Sequence, residues 1–277
     1  MKISRCLTAR TLPVFCAAFL ALPLSSHAQG GTQASQVRGS ETQLHDLTDV
    51  QRQNNENPEE TAAYKAFYSA SEPSKKIQLG TAFLKKYPKS LLDEPVEVGL
   101  MDAYYSNQDW KNVYATADSA LALKPDDVYV LTTVGWLIPH VYDPNDPGAG
   151  KLLDTAEQYS KYAIDVIPRM EKPQHTSDAQ FAQMKTQSAL RAHSALGLVY
   201  FRRNDFQDSV KELQQSTPST PNPDATDLYV LGVDYQNLNR FADAADAYTR
   251  CGQIAGPLQD PCKQGADAAK KQSPESK

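Results

Sequence analysis

Two stretches near the C-terminal end of the sequence are copies of one another. The first starts at Ala195 and reads ALGLVYFRRNDFQDSVKELQQS; the second starts at Val230 and reads VLGVDYQNLNRFADAADAYTRC. They align without a gap at a spacing of about 35 residues, a period typical of chains in which one supersecondary unit stacks on the next. The sequence therefore predicts a repeat architecture.

The residue types in these copies predict that each unit is a helical hairpin. A large residue precedes Gly, an aromatic residue follows three positions later, a second aromatic comes six positions after that, and a small residue follows three later. The matched pairs are Leu196 with Leu231, Gly197 with Gly232, Tyr200 with Tyr235, Phe206 with Phe241, and Ser209 with Ala244. The glycine lets two helices approach closely, and the aromatics fill the space beside them. A single hairpin cannot bury its apolar stripe alone, so neighbouring units must stack.

Three less regular copies precede these two. One contains Leu100, Tyr104 and Trp110; another is split by the insertion DPNDPGAGK at positions 143–151; the first ends in FLKKYPKS. The whole pattern resembles the tetratricopeptide repeat (TPR), whose period is about 34 residues. The resemblance covers roughly residues 58–258. It implies an all-α fold, an α-solenoid of about five TPR-like hairpins, closed by a capping helix over 259–271.

One segment interrupts the repeat pattern between the third and fourth copies. It runs over 169–189 and contains Thr176 and Ser177, residue types that cap helix N-termini. No Pro or Gly follows until Gly197, so the sequence predicts one long helix that starts after Thr176 or Ser177 and continues to Arg202.

The N-terminal residues have the three-part pattern of a secretory signal peptide. A basic start is followed by an apolar run over 11–24 and by small residues before a cut after Ala28. The apolar run is too short to cross a bilayer as a helix, although an uncleaved anchor stays an alternative. The sequence predicts a signal peptide at 1–28, a polar linker at 29–57, the repeat domain at 58–271 and a disordered tail at 272–277. It also predicts a periplasmic or secreted location, with no transmembrane segment after cleavage.

The charge balance argues against nucleic acid as a partner. The full chain has 28 basic and 33 acidic residues; the first 28 residues hold three bases and no acid, which leaves 25 against 33, a net charge of −8. A phosphate-binding surface needs clustered Lys and Arg. We therefore expect a protein or peptide ligand.

The resemblance also implies which residues bind that partner. In TPR stacks the outward side chains of the first helices line the ligand groove. The expected groove residues are mostly aromatics and Arg, the types that dominate interface cores: Tyr105, Tyr129, Trp136, His140, Arg191, Phe201, Arg202 and Tyr229. Packing of these rings between helices is the alternative. In the same frame Cys251 and Cys262 face each other, which predicts a disulfide.

The sequence offers no catalytic grouping, so we predict a non-enzymatic protein with no cofactor. The histidines are not spaced as metal ligands, and the stretch 143–154 departs from a calcium loop because Pro147 replaces a ligand. The expected function is an exported TPR scaffold that binds a protein or peptide in the cell envelope. The alternative is a structural subunit of an outer-membrane assembly or secretion complex.

Overall fold

The computed structural model describes residues 57–173, 175–218 and 223–273. These residues form eleven α-helices, one short 3-10 helix at Ile167–Arg169 and no β-strand. The helices are α1 (Pro58–Tyr68), α2 (Pro73–Lys86), α3 (Asp93–Ser106), α4 (Trp110–Leu123), α5 (Val128–His140), α6 (Ala149–Val166), α7 (Asp178–Arg202), α8 (Phe206–Ser216), α9 (Ala225–Asn237), α10 (Phe241–Cys251) and α11 (Gln259–Gln272). The predicted signal peptide, the predicted linker apart from Asn57, and residues 274–277 lie outside the described residues.

The helices pack as a solenoid of five consecutive hairpins followed by a single helix. The hairpins are α1–α2, α3–α4, α5–α6, α7–α8 and α9–α10. The second helix of each hairpin also packs against the first helix of the next unit, and α10 packs in this way against α11. The predicted all-α solenoid is confirmed. None of the described helices is both long and apolar enough to cross a membrane.

Close helix contact at the repeat glycines holds the last two hairpins together. A Cβ placed on Gly197 would lie 2.5 Å from the Leu213 side chain, and one on Gly232 would lie 2.6 Å from the ring of Tyr248. The Ser209 hydroxyl donates to the Gly197 carbonyl at 2.8 Å. The glycine of each repeat is therefore needed because the second helix occupies the space of a side chain, and overpacking such a site typically costs about 1–3 kcal/mol.

Three hairpins share one turn conformation. The turns α3–α4, α7–α8 and α9–α10 each have three residues, and the central residue has a positive φ: 57° at Gln108, 61° at Asn204 and 57° at Asn239. In each turn the last residue donates its backbone N–H to a carbonyl five residues back, as from Asp205 to the Tyr200 carbonyl at 2.9 Å. This is the Schellman ending of a helix. It reverses the chain within three residues and so keeps the paired helices in contact.

Helix α7 begins where the sequence predicts. Ser177 forms a capping box with Gln180: the Ser177 side chain accepts from the Gln180 backbone N–H, and the Gln180 side chain reaches back to the Ser177 N–H. These two bonds satisfy donors that the first helical turn leaves unpaired. The helix continues for 25 residues to Arg202, so it supplies both the interrupting segment and the first helix of the fourth hairpin.

The insertion in the third hairpin is a longer turn at 141–148. The Asp143 side chain accepts the backbone N–H of Asn145 at 2.9 Å, and the Asp146 side chain accepts that of Gly148 at 2.6 Å. Short acidic side chains that bond to the backbone two residues on are a common way to build a turn. The acidic residues of this segment thus have a local structural role.

The last helix stands in register with the repeat. Helix α11 starts about 35 residues after α9 and ends at Gln272, one residue beyond the predicted end of the repeat domain. Lys270 and Lys271 in its last turn favour this end because cations stabilise a helix C-terminus. Cys251 on α10 and Cys262 on α11 form a disulfide with a Cα–Cα distance of 5.7 Å. The bond joins the capping helix to the last hairpin.

Candidate functional site

The eight predicted groove residues are all half-buried, but the structure divides them into three groups. Phe201 and Arg202 lie at the C-terminal end of α7, and Tyr229 lies on α9 in the last hairpin. The first helices α3, α5 and α7 bring the remaining residues to one face, which we call the Arg191 face. Its members are Tyr105 from α3, Tyr129, Trp136 and His140 from α5, and Arg191 from the middle of α7.

Stacked side chains form the centre of the Arg191 face. The Arg191 guanidinium lies over the Trp136 ring, 5.1 Å from its centroid, and the ring of His140 stacks on Trp136 with centroids 3.7 Å apart. The His140 Nδ1 atom lies 2.7 Å from the Trp136 carbonyl oxygen, which fixes the imidazole one turn below the indole. A cation over an indole face is attracted by the ring quadrupole. These contacts hold Arg191 and Trp136 in one orientation.

A carboxylate that the sequence analysis did not select completes this face. Asp102 on α3 accepts a hydrogen bond from the Tyr129 hydroxyl at 2.7 Å and so links the second and third hairpins. Burial lowers the pKa of Arg191, while electrostatic interactions with Tyr129, Tyr105 and Asp102 act in the opposite direction. Because an arginine pKa starts near 12.5, the guanidinium stays charged at neutral pH. The face therefore presents a fixed positive charge among aromatic rings.

Arg202 has a structural contact that the sequence did not reveal. Its Nε donates to the Pro139 carbonyl at 3.1 Å, near the C-terminal end of α5, and its guanidinium lies over the ring of Tyr142 at 5.6 Å. The carbonyl groups in the last turn of a helix have no donor within the helix. Arg202 therefore helps to close α5, in addition to any contact with a ligand.

Phe201 and Tyr229 belong to the packing of the last hairpins. Both rings are partly buried against the hydrophobic cluster that α9, α10 and α11 share. Tyr229 also meets the ring of Tyr248 edge-on, with centroids 5.7 Å apart. For these two residues the packing alternative describes the observed contacts.

Two buried aspartates on α9 lie outside the Arg191 face, and both were missed. Asp227 is 1% exposed and accepts from the hydroxyls of Ser194 at 2.8 Å and Ser216 at 2.7 Å. Asp234 is fully buried, and its Oδ2 atom lies within hydrogen-bond distance of the Ser209 hydroxyl, at 2.5 Å. The serines stand on α7 and α8, so the two carboxyl groups join three helices where the fourth hairpin meets the fifth.

Burial raises the pKa of both aspartates. The pKa of Asp227 rises to about 8, mainly through loss of solvation and secondarily through the charge of Asp224. The pKa of Asp234 also rises to about 8 through loss of solvation. The serine hydrogen bonds act in the opposite direction but are weaker than the desolvation. Both groups therefore hold a proton over much of the neutral range.

The repeat register explains where these aspartates lie. Ser216 and Asp227 are 11 residues apart, as are Cys251 and Cys262, and the two pairs are related by the repeat spacing. In the second hairpin and the helix that follows it, the corresponding residues are Ala120 and Leu131, which are buried and apolar. The same position between successive units is thus filled by apolar residues, by a hydrogen bond or by a disulfide.

The described residues offer little for metal or small-molecule chemistry. They contain no group of three His, Cys, Asp or Glu side chains arranged to hold a metal ion. A pocket of about 340 Å³ lies between α8, α9 and α10. Its polar groups are partly paired with each other: Gln214 donates to the Tyr235 hydroxyl at 2.8 Å, and Arg250 donates to the Thr217 carbonyl at 2.9 Å. These bonds join neighbouring helices of the solenoid.

Comparison with known proteins finds likeness among solved structures. No protein-family model matches the chain, and no curated protein matches it. Among solved structures, a thermophilic TPR protein from Thermus thermophilus is similar, with a TM-score of 0.45 and 15% sequence identity. The similarity covers 76% of this chain and 99% of that chain.

Proposed function

We propose that this protein is an exported, non-enzymatic scaffold that binds a protein or peptide partner through the Arg191 face. One observation carries the proposal: three first helices place Arg191, Trp136, Tyr105 and Tyr129 together, half-buried and held by stacking and by the hydrogen bond to Asp102. Trp, Tyr and Arg provide most of the energy in protein interfaces, because they bring a large contact area at low entropic cost. A preformed arrangement reduces the ordering cost of binding further.

The signal-like N-terminus supports the extracytoplasmic part of this proposal. A disulfide between Cys251 and Cys262 agrees with it, because such bonds persist in oxidising compartments. The net acidity of the chain agrees with a protein or peptide ligand. The chain would therefore meet its partner in the periplasm or outside the cell.

Truncation of Trp136 tests the binding face. We expect Trp136→Ala to weaken capture of the native partner more than tenfold, about 1.4 kcal/mol, because the indole supplies both contact area and the support for Arg191. Affinity capture from envelope fractions, with captured proteins quantified by mass spectrometry, gives the measurement. The matched control is Tyr162→Ala on α6, since the Tyr162 ring is 41% exposed on a second helix.

The control decides between faces of the solenoid. If Trp136→Ala captures the partner as well as the unchanged chain while its melting temperature stays normal, the Arg191 face is not the binding surface. If Tyr162→Ala is the weaker binder of the two, the partner binds the second helices instead.

A further inference from the structure

The Arg191 guanidinium is a half-buried cation that forms no ion pair with a carboxylate of the described residues. It stacks on Trp136 at 5.1 Å, but it forms no ion pair and no hydrogen bond with any residue that the structure describes. Asp102 accepts from Tyr129 and attracts Arg191 electrostatically without pairing with it. A guanidinium has five N–H donors in a fixed fork, and a carboxylate satisfies two of them at once. The side chain is thus positioned for an anionic ligand.

A second cation of the same kind lies further along α7. Arg202 follows Arg191 by three helical turns, roughly 16 Å, and its contacts are the Pro139 carbonyl and two aromatic rings. Neither arginine is paired with a carboxylate of the described residues. The best complement to these two arginines is an acidic segment that also carries a few apolar side chains to pack on the Trp136 ring.

The chain itself contains such a segment shortly before α1. Residues 41–50 read ETQLHDLTDV, with acids at Glu41, Asp46 and Asp49 and no Lys or Arg. Apolar residues recur there at every third position, a spacing that would place them on one side of a helix; they are Leu44, Leu47 and Val50. The surrounding residues 29–57 contain few other large apolar groups. This segment therefore combines the charge and the apolar spacing that the Arg191 face would bind.

The tether between this segment and the solenoid gives it an advantage over a free ligand. Seven residues separate Val50 from the start of α1 at Pro58, and a random-coil link of that length spans about 15 Å on average. A ligand whose link spans the distance to its site has an effective concentration in the millimolar range.

We propose that residues 41–50 occupy the Arg191 face in the free chain, with the carboxylate of Asp46 or Asp49 on the Arg191 guanidinium. This inference rests on the proposed function in that the same face binds the partner, so the segment acts as an internal competitor. A partner must displace it before binding. The face is thus protected until a ligand of higher affinity arrives.

The test uses a synthetic peptide as the probe. A fluorescein-labelled peptide with the sequence ETQLHDLTDV is titrated into the full chain and into the full chain carrying Asp46→Asn, Leu47→Ser and Asp49→Asn, and binding is followed by anisotropy. We expect the substituted chain to bind the peptide at least tenfold more tightly, because its own segment no longer competes. A control peptide with Gln and Asn in place of the three acids should bind neither chain.

Substitution of arginine shows which face the peptide uses. Adding Arg191→Gln to the substituted chain should weaken peptide binding at least tenfold, whereas the matched control Arg169→Gln should leave it unchanged, since Arg169 pairs with Asp165 at the exposed end of α6. Circular dichroism verifies that each variant is folded.

Three outcomes overturn the inference: equal peptide affinity of the two chains, no peptide binding by the substituted chain, or binding that survives Arg191→Gln. None of them involves the native partner, so they leave the Trp136→Ala capture experiment to decide the proposed function separately.

Discussion

Raising the pH from about 5 to about 8 should lower the free energy of unfolding by at least ~2 kcal/mol. The main cause is the pair Asp227 and Asp234, whose folded pKa values are about 8 against an ordinary value of 3.8. Glu97, whose pKa burial raises to about 7, acts in the same direction. Between these values the folded chain holds protons that the unfolded chain releases, so each increase in pH favours unfolding. The stabilisation that these two protonated carboxyl groups contribute is complete below about pH 4 and is lost as the pH approaches 8.

Urea unfolding at several pH values, followed by circular dichroism, measures this dependence. The double variant Asp227→Asn, Asp234→Asn should reduce it to the smaller slope that Glu97 leaves, because an amide keeps the shape of the protonated acid and does not titrate. The matched control is Asp246→Asn on the exposed surface of α10, which should keep the slope of the unchanged chain. A double variant with the same pH slope as the unchanged chain would show that these carboxyl groups ionise normally in the folded state.

Loss of the disulfide should have the second large effect. The bond between Cys251 and Cys262 spans 11 residues, and closing so short a loop contributes about 2–3 kcal/mol when the bond is unstrained. Because it joins α11 to α10, reduction should expose the end of the solenoid first. We expect the unfolding midpoint in urea to fall after reduction, and α11 to become the most rapidly proteolysed helix.

The variant Cys251→Ser, Cys262→Ser is the control for the reducing agent. It should unfold at the midpoint of the reduced chain and should not respond to reductant. Alkylation of freshly purified, unreduced protein followed by intact-mass measurement gives an independent check. Two alkylated thiols in that sample would contradict the disulfide.

The fold could be predicted from the sequence because the residues that define the repeat are the ones at which two helices pack together. Gly197 and Gly232 mark the points where two helices come into contact, and the structure leaves no space for a Cβ at either position. Ser177 marked the start of α7 for a similar reason, since a capping residue acts locally. Sequence patterns that reflect contacts within one helical turn or one hairpin can be recognised in a single sequence.

The buried aspartates were not predicted because an acidic residue on a helix is usually exposed to solvent. The sequence nevertheless contained a signal: Asp227 lies one repeat before Cys262, and Asp234 lies one repeat before Ala269, both buried positions. The helical register of α9 places both side chains towards α8, where Ser209 and Ser216 stand. Comparing every position with its repeat partner would have identified both residues.

The candidate site was predictable only in part. Arg191, Trp136 and Tyr129 come together because first helices stack in order, which the repeat implies. The contact of Arg202 with the Pro139 carbonyl joins the ends of α7 and α5, and the two residues are 63 positions apart in the sequence. No local sequence pattern indicates that these two helix ends lie side by side.

Hydroxyl-radical footprinting of the partner complex tests the binding face most directly. Aromatic side chains react readily, so oxidation of each ring reports its accessibility. We predict that, in the chain carrying Asp46→Asn, Leu47→Ser and Asp49→Asn, whose own segment no longer covers the face, partner binding lowers the oxidation of Trp136 and Tyr105 at least threefold and leaves Tyr162 on α6 unchanged. Protection of Tyr162 with no protection of Trp136 would contradict the Arg191 face as the site of partner binding.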